Sequence, residues 1–122
     1  MVHNALLGSQ GEEYVMNFLE KEGYRIRARN YRTARGEIDI IAERGETIAF
    51  VEVKTRYTEP FELSTVITPT KQRRIISAAR TYCATQQIYD RSLRFDVAVV
   101  ILDRNRPLTY YENAFTEVRD GL

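Results

Sequence analysis

Residues 94–102, RFDVAVVIL, are apolar at seven of nine positions, with no sustained alternation of polar and apolar side chains. A strand of that kind needs cover on both faces, whereas a strand with one wet face alternates. Helices that can supply the cover flank the middle of the chain. Residues 9–22 carry Tyr14, Val15, Phe18 and Leu19 at helical spacing, with Ser9 and Glu12 as a capping box and Gly23 as the stop. Thr68-Pro69 opens a second helix, with threonine as N-cap and proline at the first helical position. Its apolar face is Ile75, Ile76, Ala79, Tyr82 and Cys83.

The remaining segments read as strands. In residues 24–30 the side chains of Tyr24, Ile26 and Ala28 alternate with Arg25, Arg27 and Arg29, which predicts one wet, basic face. Apolar runs at 38–42 and 47–53 flank Arg44-Gly45-Glu46, the pattern of a β-hairpin. After the turn DRNRP, residues 108–112 form a short last strand at a sheet edge. The order α-β-β-β-α-β-β predicts an α/β fold, a mixed β-sheet flanked by helices. The second helix serves as the crossover that makes strand 94–102 run parallel to strand 47–55, in the right-handed sense.

Composition narrows the class of function. A chain of 122 residues is expected to form one domain spanning 1–122. No apolar run approaches the ~18 residues that cross a bilayer, and the N-terminus has no secretion pattern. With Cys83 as the single cysteine, these features predict a cytoplasmic protein without disulfides. The net charge of +1 excludes a blanket of positive charge. The cations are nonetheless grouped: Arg25, Arg27, Arg29, Arg32 and Arg35 in one cluster, Lys71, Arg73 and Arg74 in another.

Two acids interrupt the apolar strands. Asp39 stands between Ile38 and Ile40, and Glu52 between Val51 and Val53. A two-residue turn at Gly45-Glu46 makes hairpin partners sum to 91, so Asp39 falls opposite Glu52 on one face, with Cβ atoms about 4.5–5.5 Å apart. A turn at Arg44-Gly45 makes them diagonal neighbours at about 7–8 Å, and a bulged loop breaks the arrangement. Two carboxylates that close either share a proton or share a cation. Oxygen donors of this type suit Mg²⁺, or Mn²⁺, with waters and phosphate oxygens completing the shell. Lys54 lies two residues beyond Glu52 and points the same way, where its ammonium can steady an attacking water or a phosphate.

These residues carry a family resemblance. GEIDII followed by FVEVK is similar to the divided acid/ExK motif of the PD-(D/E)xK restriction-endonuclease-like superfamily. The closer resemblance is to the YraN-like family of small bacterial proteins, through Gly8-Ser-Gln-Gly11-Glu12, Arg29-Asn30-Tyr31-Arg32, Gly36-Glu37-Ile38-Asp39, Phe50 to Arg56, Lys71 and Arg94-Phe95-Asp96. It covers roughly residues 8 to 100. The chain departs from the pattern at Phe61-Glu62, where the family often has Phe-Gly. A more distant resemblance is to archaeal Holliday-junction resolvases, which act as dimers. The resemblance implies an αβββαβ core, metal-dependent cleavage of DNA phosphodiesters, branched DNA as one substrate form, and a homodimer. It implies Glu12, Asp39 and Glu52 as metal ligands, with Lys54 completing the catalytic set.

Each candidate also has a plainer reading. Glu12 fits the capping box; Glu37 fits a turn; Glu52 and Lys54 fit an exposed ion pair, though that leaves Asp39 unexplained. Lys71 and Arg74 fit either a solvated helix face or phosphate contact at a helix start. Arg29 and Arg32 fit either a DNA backbone or a wet sheet face. Tyr31 and Cys83 fit packing, and Asp96 fits a structural acid inside its strand. The leading expectation is a Mg²⁺- or Mn²⁺-dependent nuclease acting on DNA. The alternative is a nucleic-acid-binding or adaptor module on the same fold.

Overall fold

A computed structural model describes residues 4–58 and 62–117. Eight elements follow in order: α1 (Asn4–Lys21), β1 (Arg25–Arg32), β2 (Glu37–Arg44), β3 (Thr47–Arg56), α2 (Leu63–Val66), α3 (Pro69–Thr85), β4 (Ser92–Ile101) and β5 (Leu108–Phe115). The five strands form one sheet in the order β1-β2-β3-β4-β5. Every neighbouring pair is antiparallel except β3 and β4, which are parallel and joined through α2 and α3. The expected α/β fold with a mixed, helix-flanked sheet and an αβββαβ core is therefore present.

β4 is covered on both faces, as its composition requires. Val97, Val99 and Phe95 pack with Ile75, Ile76, Ala79, Tyr82 and Cys83 of α3. Ala98 and Val100 pack with Val15 and Leu19 of α1. Phe50 anchors the α3 side, stacked on Phe95 at 5.5 Å and edge-on to Tyr82 at 6.3 Å. Full burial of a side chain of that size contributes about 1.5–3 kcal/mol. Thr68 caps α3 as expected, its hydroxyl accepting from the Lys71 amide at 3.3 Å, with Pro69 at the helix start. No helix among the described residues is long and apolar enough to cross a membrane.

Four local expectations are corrected. α1 already includes Asn4, so Ser9 and Glu12 lie inside the helix and form no capping box. Tyr14 sits at the edge of its apolar face, 43% exposed, while Val15 and Leu19 are buried. β1 does not alternate: a bulge between Ile26 and Ala28, and a left-handed backbone at Asn30 (φ 52°), twist the strand. Ile26 consequently packs on the α1 side and Ala28 on the α3 side, and the arginines are divided between the two faces. They are not a free basic surface either, because Arg25 and Arg27 bond Glu43 and Arg29 bonds Glu12. Finally, β5 runs to Phe115 rather than 112. Phe61, part of the departure from the family pattern, lies outside the described residues; Glu62 precedes the short helix α2.

Candidate active site

The hairpin adopts the register in which partners sum to 91: Arg44 pairs with Thr47 and Ile40 with Val51. The backbone ladder ends there. One step further, the Val53 amide donates to Asp39 Oδ2 at 2.8 Å. Asp39 thus replaces a missing strand acceptor, which fixes its carboxylate over β3. Its neighbour there is Glu52, to which it is hydrogen-bonded. Asp39 is 9% and Glu52 6% exposed. Burial first, then the hydrogen bond to Glu52 and its charge, push the Asp39 carboxyl up to about 9. At neutral pH the Asp39 carboxyl therefore keeps its proton.

Cations enclose the pair. Lys71 Nζ of α3 lies 2.5 Å from Glu52 Oε2. Lys54, two residues after Glu52, lines the same cleft with Gly36, Glu37, Asp39, Lys71, Arg74 and Ile75; its volume is about 400 Å³. The Lys54 ammonium is destabilised by burial and then by the charges of Arg56 and Lys71, so its pKa lies below the ordinary lysine value. The first turn of α3 supplies no acid to offset Lys71. The cleft is thus a small basin where two buried carboxylates meet three cationic side chains.

Two glycines let the helices approach this end of the sheet. A Cβ at Gly36 would lie 2.5 Å from the Arg74 carbonyl oxygen, so only glycine admits the α3 backbone there. A Cβ at Gly11 would overlap Thr55 Oγ1 of β3, so the α1 turn carrying Glu12 also sits close on the sheet. Both glycines adjoin an acid of the site, Glu37 and Glu12. Their spacing carries a packing reason that the bare motif does not display.

The expected residues divide accordingly. Asp39, Glu52 and Lys54 share the cleft, and Lys71 and Arg74 join them from α3. Glu12 is held by Arg29 Nε at 3.2 Å, although its charge reaches Asp39 and helps to raise the Asp39 pKa. Arg29 also donates to Ser9 Oγ at 3.2 Å, so both residues of the supposed capping box orient this arginine. Arg32 pairs with Glu37 at 3.2 Å on the rim. Among the described residues, no three His, Cys, Asp or Glu side chains gather to hold a metal. The two carboxylates Asp39 and Glu52 are the all-oxygen donor pair, a number that Mg²⁺ accepts when waters and phosphate complete its shell. Tyr31 packs edge-on against Tyr82 at 5.1 Å, and Cys83 is buried, so both serve the core. Asp96 faces α1, away from the cleft, among Arg94, Tyr110 and the Asn113 amide.

Sequence reasoning missed the contact between Lys71 and Glu52. Its signal was a lysine in the first turn of a helix, where the dipole disfavours a cation unless an anion lies nearby.

The comparisons with known proteins agree with the motif. The model of uncharacterised protein family UPF0102 matches residues 11–100. A UPF0102 protein of Alkaliphilus metalliredigens is 44% identical over 110 residues, which cover 89% of this chain and 96% of the relative. One from Geobacter metallireducens is 43% identical over 118 residues, covering 93% and 95%. One from Dictyoglomus thermophilum is 36% identical over 118 residues, covering 93% of this chain and all of the relative. On its family match and on this identity along nearly its whole length, the chain belongs to uncharacterised protein family UPF0102, the YraN-like family that its motifs resemble.

Proposed function

We propose that the protein is a metal-dependent nuclease that hydrolyses DNA phosphodiester bonds, branched or otherwise structured DNA included. The observation that carries this reading is the buried Asp39–Glu52 pair facing Lys54 in a cleft whose other wall is Lys71 and Arg74. Asp39 and Glu52 would hold Mg²⁺ or Mn²⁺, with Glu12 at the margin. When bound, such an ion polarises a phosphoryl oxygen and lowers the pKa of a water. The remaining work falls to the chain itself. Lys71 and Arg74 attract the phosphate backbone, and β3 holds Lys54 at a fixed place beside the scissile group. Its ammonium stabilises charge as the water oxygen bonds to phosphorus and the bond to the sugar oxygen breaks. The core residues Phe50 and Val51 keep that end of β3 rigid, as a preorganised site requires. The proposal extends to a cytoplasmic homodimer, which light scattering tests.

The test is cleavage of linear, nicked and branched DNA with Mg²⁺. Activity in the wild type and its loss in the Glu52→Ala/Lys54→Ala variant support the reading. Equal activity, or equal inertness, overturns it.

One observation favours the second reading, a nucleic-acid-binding module without cleavage. The two buried carboxylates are already satisfied without a metal, by the proton on Asp39 and by Lys71 on Glu52, which leaves Lys54 and Arg74 to face a phosphate. That reading predicts binding that falls steeply with salt and depends on Lys71 and Arg74, with no effect of Glu52 on catalysis.

A further inference from the structure

Lys71 stands in an electrostatically awkward place. It occupies the first turn of α3, where unpaired amides and the helix dipole present positive charge. Its own amide is engaged by Thr68 Oγ1, so the backbone there is capped rather than frayed. Arg73 and Arg74 follow, and no acid lies in that turn. What compensates Lys71 comes from across the cleft: Glu52 Oε2, 2.5 Å from its ammonium.

The two ends of this contact differ. The Glu52 side chain is 6% exposed, fixed inside β3 between Val51 and Val53; the Lys71 side chain is 42% exposed and reaches in from the rim. Glu52 is also bonded to Asp39 on its other side. A cation that binds both carboxylates must therefore displace, besides the proton on Asp39, the exposed partner of Glu52, the lysine. A doubly charged ion and an ammonium on one carboxylate at such short range also repel each other. The lysine stem is long and flexible, and it lines the cleft beside Arg74.

We propose that Lys71 is a gate for the divalent cation. It holds Glu52 while the carboxylate pair carries no metal, and it is released to a nucleic-acid phosphate when the ion binds. This rests on the reading of the cleft as a metal site. It adds a consequence that site alone does not have. Because the same lysine opposes the ion and assists the phosphate, the two ligands favour one another. Phosphate that captures Lys71 frees Glu52, and by reciprocity the ion that occupies Glu52 frees Lys71.

The experiment titrates MnCl₂ into the full chain without DNA, by calorimetry, for wild type, Lys71→Met and Lys71→Gln. Losing the competing ammonium should tighten Mn²⁺ binding by about tenfold in both variants. The rise in melting temperature on adding Mn²⁺ should be larger in the variants than in wild type. Duplex DNA binding in Ca²⁺ should weaken, with the salt slope reduced by about one. Equal or weaker Mn²⁺ binding by both variants, with wild type binding normally, overturns the gate alone. No Mn²⁺ binding by any of the three overturns the gate together with the metal reading of the cleft.

Discussion

Two aspartates interrupt core strands of this sheet, and they end in opposite circumstances. Each takes a backbone amide at a place where the ladder breaks: Asp39 accepts from Val53 at 2.8 Å, and Asp96 accepts from Asn113 at 2.8 Å. Beyond that bond they diverge. Asp96, fully buried, also receives Arg94 Nε at 2.9 Å, Arg94 Nη2 at 2.8 Å and the Tyr110 hydroxyl at 2.6 Å. Arg94 is itself oriented by Tyr24, whose hydroxyl accepts from it at 2.6 Å. Asp39 instead meets a second carboxylate, and the ammonium in contact there, Lys71, pairs with Glu52. A buried acid with every acceptor filled is an architectural device. A buried acid set against a second carboxylate has no such closed set of donors, and that is the feature on which the proposed cation site rests.

The sharpest way to break this contrast is to remove each acid. Asp96→Ala leaves Arg94, Tyr110 and the Asn113 amide without their acceptor in a buried place. It should cost about 3–5 kcal/mol of stability in urea denaturation, as for other broken buried pairs. Asp39→Asn should cost far less, because it also removes the clash with Glu52. Comparable losses at the two positions would erase the distinction drawn between them.

Titration gives the next largest effect, with opposite signs in two regions. The unfolded Asp39 carboxyl loses its proton in the usual carboxylate range, and the folded one near 9. Between those values the folded state binds the extra proton, so Asp39 makes stability fall as pH rises. Asp39→Asn should flatten the stability profile between about pH 4 and 9. Glu43 acts the other way: its bonds to Arg91 and then Arg25 hold it down to about 2, so its contribution is present above the ordinary range and lost as pH falls towards that value. A Glu43-independent profile that does not decline between about pH 4 and 9, or an unchanged profile for Asp39→Asn, goes against the raised Asp39 carboxyl.

Packing changes sharpen the contrast further. Gly36→Ala forces a Cβ against the Arg74 backbone and should cost about 1–3 kcal/mol. It should also move Lys71 and Arg74, weakening DNA retention while leaving the Asp96 cluster intact. Smallest is Thr68→Ala, which removes the α3 cap at a cost of about 1 kcal/mol in thermal unfolding. An affinity loss for DNA with Thr68→Ala larger than with Gly36→Ala would show that the glycine contact is not what places the basic wall.

Much of the cleft could be read from local pattern, because a hairpin register needs only the turn. Arg44-Gly45-Glu46 left two registers and a bulged loop open; the structure takes the register that sums to 91, and both of the regular registers keep Asp39 and Glu52 on one face. The parallel pairing of β3 and β4 followed equally from one unalternating strand and one intervening helix. The contributions of Lys71 and Arg74 were ambiguous for a physical reason: a helix start carries no information about which strand end it will cover. That is decided by the close approach at Gly36, which depends on the folded path of the chain. β1 misled for a different reason. Its strict alternation is real in sequence, but the bulge near Arg27 and the turnover at Asn30 let each arginine find an acid, Glu43 or Glu12, on opposite faces. The Ser9–Glu12 spacing likewise matched a cap while the helix simply began earlier; Gly8 and Gly11, weak helix formers, favour the late start in a local reading.

The most direct measurement is Mn²⁺-induced line broadening in the amide NMR spectrum of the whole chain, since the ion relaxes only nuclei close to it. The amides of Asp39, Glu52, Val53 and Lys54 should broaden first at substoichiometric Mn²⁺, while those of Gly45 and Glu46, at the far end of the same hairpin, persist longest, and Glu52→Gln should abolish the effect. Broadening that starts at the Gly45-Glu46 turn, or none anywhere, would contradict the assignment of the Asp39–Glu52 pair as the cation site.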